Sequence, residues 1–419
     1  MLSRWIVPIG AVVATAMVVA ATLRDARESG AGSIALPVSI AGTSLAELTS
    51  TVSEMTARLE KNPDDAVAVV SLTNALIRLQ RVNNDGRAVI AAEEHLRAFL
   101  KESPEHYEAK RLLGAVLLSQ HRFGDAIAAA NDAMATDPRD AWNYGVAGDG
   151  SLELGDYERA FAAFDRMGQL QPGPPAYART AYALEIKGDL EGALDYMKKA
   201  AEGTSPNDAE AQAWHYAQSG DLLFKLGRLP LARVEYERAD ATFPGHPMAV
   251  VGRARIRMAD GDVAGARLVL QSQLAKTATP DLASSIGELS LAMGDTTAAN
   301  QYFQMAEQIE RGAWGNGDRQ PQVMAQLLAD RPGREAEAVT LAEEAARSRA
   351  DIFTLDTLAW AYYRAGRFED ARDASARALR TGTRDARIRC HAQQIELRLK
   401  ADATSREPAS TRHCLEWRP

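Results

Sequence analysis

The sequence has none of the usual marks of chemistry or of nucleic-acid binding. It contains no Gly-x-Ser-x-Gly, no His-Glu-x-x-His and no Gly-Lys-Ser/Thr phosphate loop, so the common hydrolase, zinc-protease and nucleotide-binding signatures are missing. No run of lysine or arginine is present, and 48 basic against 56 acidic residues give a net charge of −8. A phosphate backbone would meet nothing to neutralise it, so nucleic acid is not expected as a partner. The seven histidines are scattered, with His95, His106 and His121 expected at or near helix ends in solvated or capping roles. Paired carboxylates such as Glu93 with Glu94 and Glu343 with Glu344 read as solvated helix faces. Neither a catalytic residue nor a cofactor site is expected.

What the chain does have is a repeated local pattern. The stretch LAWAYYRAGRFEDARDASARAL, residues 358–379, places Leu358, Ala359, Tyr362 and Tyr363 at helical spacing before Gly366. Phe368, Ala371, Ala374, Ser375 and Ala378 do the same after it. Gly366 sits where a helix C-cap would enter the left-handed conformation, so the stretch predicts a helical hairpin with a tight turn. One hairpin cannot bury its own apolar face, and copies follow. The first-turn alanine of the second helix recurs at Ala92, Ala126, Ala160, Ala193, Ala232, Ala266, Ala299, Ala338 and Ala371. Successive intervals are 34, 34, 33, 39, 34, 33, 39 and 33 residues. Turn glycines keep the same phase at Gly155, Gly188, Gly227, Gly261, Gly294 and Gly366. Prolines close units at Pro63, Pro104, Pro138, Pro172, Pro206 and Pro244. Three markers in phase exclude chance periodicity.

On these units the sequence resembles the tetratricopeptide repeat family, over roughly residues 66–383. LLGAVLLSQHRFGDAIAAANDAMATDP and SGDLLFKLGRLPLARVEYERADATFP carry the likeness best. The unit around Ala338 departs most, its first helix lacking the usual pattern. The resemblance implies an all-α fold, a right-handed α-solenoid of about eight hairpins whose core grows in one dimension. Residues 44–400 are expected to form it, with an opening helix where Ser44 and Glu47 have capping-box spacing and a closing helix at the far end.

The first residues differ from this body. After Arg4, residues 5–23 form an uncharged apolar run before Arg24 and Asp25. As a helix, nineteen residues span about 28 Å, close to the hydrocarbon thickness of a bilayer. Residues 1–27 are therefore expected to be a transmembrane signal-anchor, the alternatives being a cleaved signal peptide and a buried helix. Residues 28–43, rich in small and turn-forming types, read as a linker, and 401–419 as a tail. The expected location is a membrane with the solenoid on the exported, periplasmic side, or a soluble periplasmic or secreted form after cleavage.

Cysteine occurs twice, at Cys390 and Cys414, each beside a histidine. The Cys-x₂₋₄-Cys spacing of zinc sites is absent, and no metal is expected. The two cysteines read as a disulfide that would contribute about 3 kcal/mol on the chain-entropy model, or as two free thiols. The loop at residues 312–321, GAWGNGDRQP, reads as a structural insert, with a partner contact or a cryptic enzyme site as alternatives.

With catalysis set aside, the resemblance implies a protein or peptide partner held in a concave groove lined by the first helix of each hairpin. Carried onto this sequence from the turn glycines, that lining comprises Trp142, Asp149, Tyr182 and Glu185. It continues through Trp214, Asp221, Phe224 and Lys225 to Arg255, Met258 and Glu288. Asp356, Trp360, Tyr363 and Arg364 complete it. Aromatic and arginine side chains are the usual anchors of protein interfaces. The alternative for Trp142, Trp214 and Trp360 is burial between repeats. The family's lysine, asparagine and arginine clamp for a terminal carboxylate cannot be mapped here.

Overall fold

The computed structural model describes residues 45–83, 86–315 and 319–400. The described residues form twenty α-helices and no strand. An opening helix, α1 (Leu45–Lys61), precedes nine hairpins. The first two are α2 (Ala66–Asn83) with α3 (Gly86–Glu102), and α4 (Tyr107–Ser119) with α5 (Phe123–Thr136). The third and fourth are α6 (Ala141–Glu153) with α7 (Tyr157–Leu170), and α8 (Pro174–Ile186) with α9 (Leu190–Gly203). Next come α10 (Ala209–Lys225) with α11 (Leu229–Thr242), and α12 (Pro247–Ala259) with α13 (Val263–Leu274). Then α14 (Pro280–Ala292) pairs with α15 (Thr296–Gly315), and α16 (Pro321–Ala329) with α17 (Glu335–Ser348). The ninth hairpin is α18 (Ile352–Arg364) with α19 (Phe368–Ala378), and α20 (Ala386–Lys400) closes the stack.

Nine hairpins replace the eight expected. The unit around Ala338, which looked least like a repeat, is a full hairpin with a first helix of only nine residues. Part of the adjacent insert is also helical. Gly312 and Gly315 lie in α15, the longest helix, and Pro321 starts α16. The expected membrane helix, the linker, Ser44, Cys414 and the tail lie outside the described residues. No helix among the described residues is long and apolar enough to cross a membrane.

The alanine marker earns its register physically. All nine second-helix alanines are 0% exposed, so each sits at a point where two helices come too close for a longer side chain. Four residues after three of them, a ring packs onto a first-helix glycine. A Cβ on Gly148 would lie 2.4 Å from Phe164, one on Gly287 2.5 Å from Phe303, and one on Gly252 2.1 Å from Tyr236.

Turns follow a Schellman pattern. Gly155, with φ of 79°, is followed by Asp156, whose amide donates back to Ser151 O at 2.8 Å. The second hairpin repeats the geometry without glycine: His121 takes φ of 58°, and the Arg122 amide reaches Leu117 O at 3.0 Å.

Candidate functional site

First and second helices have different surroundings. Helix α6 buries twelve of its thirteen residues, whereas α7 buries four of fourteen. The first helices thus form an inner wall and the second helices an outer, solvated layer. Of the fifteen side chains expected to line an open groove, eleven are buried. They are Trp142, Asp149, Tyr182, Trp214, Asp221, Phe224, Arg255, Met258, Glu288, Asp356 and Trp360. Glu185, Lys225, Tyr363 and Arg364 are half-buried. The three tryptophans are core residues rather than surface anchors. Trp142 Nε1 donates to Arg111 O at 3.3 Å, and Trp360 stacks between Tyr363 and His391 with centroids 4.9 and 4.1 Å away.

The charged members of that set pair from one repeat to the next. Asp149 on α6 accepts from Arg179 on α8 at 2.6 Å, and Glu185 on α8 from Lys225 on α10 at 2.5 Å. Asp221 on α10 accepts from Arg255 on α12 and from the Tyr236 hydroxyl, each at 2.5 Å. Asp330, just after α16, accepts from Trp360 Nε1 at 2.9 Å and lies 3.6 Å from Arg364. Asp356 faces His391 Nδ1 at 3.0 Å and Arg387 at 3.4 Å on α20. This buried ladder fixes which first helix follows which. Burial pushes the Asp149 carboxyl up to about 6 against the pull of Arg179. Burial alone would lower Lys225 and Arg255; the adjacent carboxylates Glu185 and Asp221 reverse this and hold both above their ordinary values.

A second set of contacts joins repeats far apart in sequence. The Arg349 guanidinium donates to Glu153 Oε2 at 2.8 Å and to Asp351 Oδ2 at 2.8 Å. The Ala350 amide donates to Leu154 O at 3.1 Å, and the Ile352 amide to the Tyr157 hydroxyl at 2.8 Å. Arg380 ties both sides, donating to Ala350 O at 2.7 Å and Gly155 O at 3.1 Å. One repeat further on, a Cβ on Gly188 would come within 2.4 Å of Gly382 O. The loops flanking the ninth hairpin therefore rest on the turns of the third and fourth, and the solenoid packs against itself. Burial pushes Glu153 up to about 7, with Arg349 opposing and Asp351 and Asp149 adding to the rise.

The first hairpin makes a similar contact. Arg78 Nη2 lies 3.1 Å from Asp208 Oδ2, and Arg81 pairs with Glu210 at the start of α10. His215 and His246 lie in the same region, lowered by burial to about 4 and about 3. Sequence reasoning found none of these pairings, because local periodicity does not report contacts between turns of a superhelix. One signal was there. Pro63, Pro104, Pro138, Pro206 and Pro244 each stand three residues before a first helix, and at that place before α18 the chain has Arg349.

The remaining expectations divide. His106 caps α4, its Nδ1 accepting from the Ala109 amide at 3.2 Å, but His95 lies well inside α3 rather than at an end. Trp314 donates to Glu310 at 2.8 Å and lies under Arg319, which pairs with Glu344; residues 316–318 are outside the described set. Cys390 is disulfide-bonded, and Cys414 is outside the described residues. No group of three or more metal-ligating side chains occurs among the described residues.

A tetratricopeptide repeat model matches residues 91–141 and 218–283. Over those two segments the chain carries the tetratricopeptide repeat pattern. No curated protein matches it by sequence. Among solved structures, the APC/C hetero-tetramer Cut9–Hcn1 is similar with a TM-score of 0.51 at 15% identity, over 83% of this chain and 59% of that one. This chain thus spans a little under three fifths of the length of Cut9–Hcn1's matched chain. Yeast Tom70 gives a TM-score of 0.44 at 14% identity, covering 86% of this chain and 88% of its own. The human IFIT1 dimer with m7Gppp-AAAA gives 0.48 at 16%, covering 80% and 78%. At 15% identity the likeness to Cut9–Hcn1 speaks to the fold alone.

Proposed function

We propose that the protein is a non-catalytic interaction scaffold that holds a protein or peptide segment on the inner wall of its tetratricopeptide solenoid. The observation that supports this reading is the inner wall made by the first helices, with Glu185, Lys225, Tyr363 and Arg364 left half-buried along it. Such a face offers an extended partner a series of spaced contacts. The test is capture of partners from native membranes by the full chain and by a Tyr363→Ala/Arg364→Ala variant. Loss of a captured protein with unchanged helicity and melting supports the reading. Unchanged capture overturns the role given to this face.

The reading includes tethering at a membrane through residues 1–27, with the solenoid on the exported side. The disulfide at Cys390 favours an oxidising compartment. An assembly factor for envelope or polymer-export machinery, soluble in the periplasm or secreted, is the second reading the same disulfide favours. N-terminal sequencing of the mature protein separates the two: an intact Met1 supports the anchor, and a start beyond about residue 20 supports cleavage.

A further inference from the structure

The contact between the ninth and third repeats has the form of a bound peptide. Its guest segment, residues 349–353, begins extended, Arg349 having φ −148° and ψ 134° and Asp351 φ −65° and ψ 162°. Main-chain atoms hold it: the Ala350 amide on Leu154 O, the Ala350 carbonyl under Arg380, and the Ile352 amide on the Tyr157 hydroxyl. Side chains select it. Arg349 enters a site made by Glu153 and the face of Phe123, 5.2 Å from the ring centroid, and Ile352 is 0% exposed. The host is shaped for close backbone approach, since a Cβ on Gly155 would lie 2.4 Å from Ala350 O. Glu153 is 2% exposed, and no hydrogen bond reaches its Oε1. The host carboxylate thus keeps one acceptor beyond what Arg349 uses.

Resting on the scaffold reading, we propose that the turn edge of the third repeat is a peptide-binding site occupied in the closed state by the chain's own residues 349–353. A partner offering an Arg-x-Asp-Ile-Phe-like stretch, extended from its arginine to its aspartate and entering a helix at the isoleucine, displaces that segment and opens the solenoid. Main-chain hydrogen bonding supplies affinity, and the arginine and the β-branched residue supply selection. Because the resident copy is tethered, it competes at an effective concentration in the millimolar range, and a free peptide meets a handicap in the wild-type chain.

The test is titration of a labelled peptide of residues 348–357 onto the full chain, wild type and Arg349→Ala/Arg380→Ala. The variant, having lost its internal arginine contacts, is expected to bind the peptide about tenfold or more tighter than wild type. The same peptide carrying Arg349→Ala is expected to bind about tenfold weaker. Equal affinity for both chains, or indifference to the peptide's arginine, overturns the proposal. Should the double variant lose helicity, Arg380→Ala alone carries the measurement, because Arg380 is exposed and a tightening of about threefold is then the criterion. A chain that ignores the peptide yet still captures a partner through Tyr363 and Arg364 sinks this proposal and keeps the scaffold.

Discussion

Arg349 and Glu153 meet at 2.8 Å across 196 residues of sequence, joining the loop before the ninth hairpin to the end of the third hairpin's first helix. The two residues belong to repeats that are not neighbours in the chain. The pair therefore reports a property of the whole superhelix: successive turns touch, and the inner wall of the middle repeats becomes core. It adds to the burial that adjacent repeats already impose, as Arg179 does on Asp149 and Arg255 on Asp221.

Comparing two glycines isolates this contact. Gly155 and Gly366 have nearly the same backbone, φ 79° and 78°, at equivalent turns. A Cβ on Gly155 would strike Ala350 O, whereas one on Gly366 meets nothing within 4 Å. Gly366→Ala should cost about 1–2 kcal/mol, the left-handed penalty alone. Gly155→Ala carries that penalty plus displacement of the opposed backbone, and should lower the melting temperature clearly further. Equal losses in thermal denaturation would show that the turns do not press together in solution.

The ladder gives a second prediction, at Asp221 and Arg255. Both are at least nine-tenths buried and 2.5 Å apart. Arg255→Met leaves the buried Asp221 carboxylate with the Tyr236 hydroxyl and without its guanidinium, and the loss should be about 3–5 kcal/mol. Asp221→Asn/Arg255→Met removes both charges and should lose less than the two single changes added together. Chemical denaturation of the three variants measures the coupling, and strict additivity would refute the pairing.

Much of the fold was legible because the repeat is a local device. Ala92 through Ala371 mark close helix contacts, and Gly155 through Gly366 mark left-handed turns, each within one hairpin. The eighth hairpin, around Ala338, departs from the repeat pattern because α16 is short, and residues 312–315 read as loop because glycine is rare inside helices such as α15. The site was less legible. Trp214 and Asp221 sit at positions that are open in a loosely wound solenoid, and only winding decides whether another turn covers them. That depends on Arg349 with Glu153 and Arg81 with Glu210, pairs that no window of one repeat contains.

His121 offers a gain rather than a loss. It holds φ of 58° where seven other hairpin turns have glycine, and its ring meets Phe123 edge-on at 5.8 Å. His121→Gly relieves a left-handed side chain but loses that contact and some unfolded-state order. The net expectation is stabilisation of about 0.5–1 kcal/mol, read as a raised melting temperature. An unchanged or lower value would mean the histidine is held for its contacts.

Acid response separates two groups of buried residues with opposite signs. His215 and His246 are lowered by burial to about 4 and about 3, so they stay neutral in the fold while an unfolded chain protonates them near 6.5. Their contribution is intact above that value and is lost as pH falls toward the folded pKa, on the order of 3 kcal/mol for His215. Asp149 and Glu153, raised to about 6 and about 7, bind protons in the fold before the unfolded chain does, and so favour the fold as pH drops through that range. The whole-chain curve mixes both effects, but His215→Gln removes one. Its Thr204 partner, 3.1 Å from His215 Nδ1, keeps a neutral group to meet. At pH 7.5 the variant should melt below wild type, and the gap should shrink steadily down to pH 4.5 because only wild type retains a histidine to charge there. A gap that stays constant across that window would place His215 in contact with solvent.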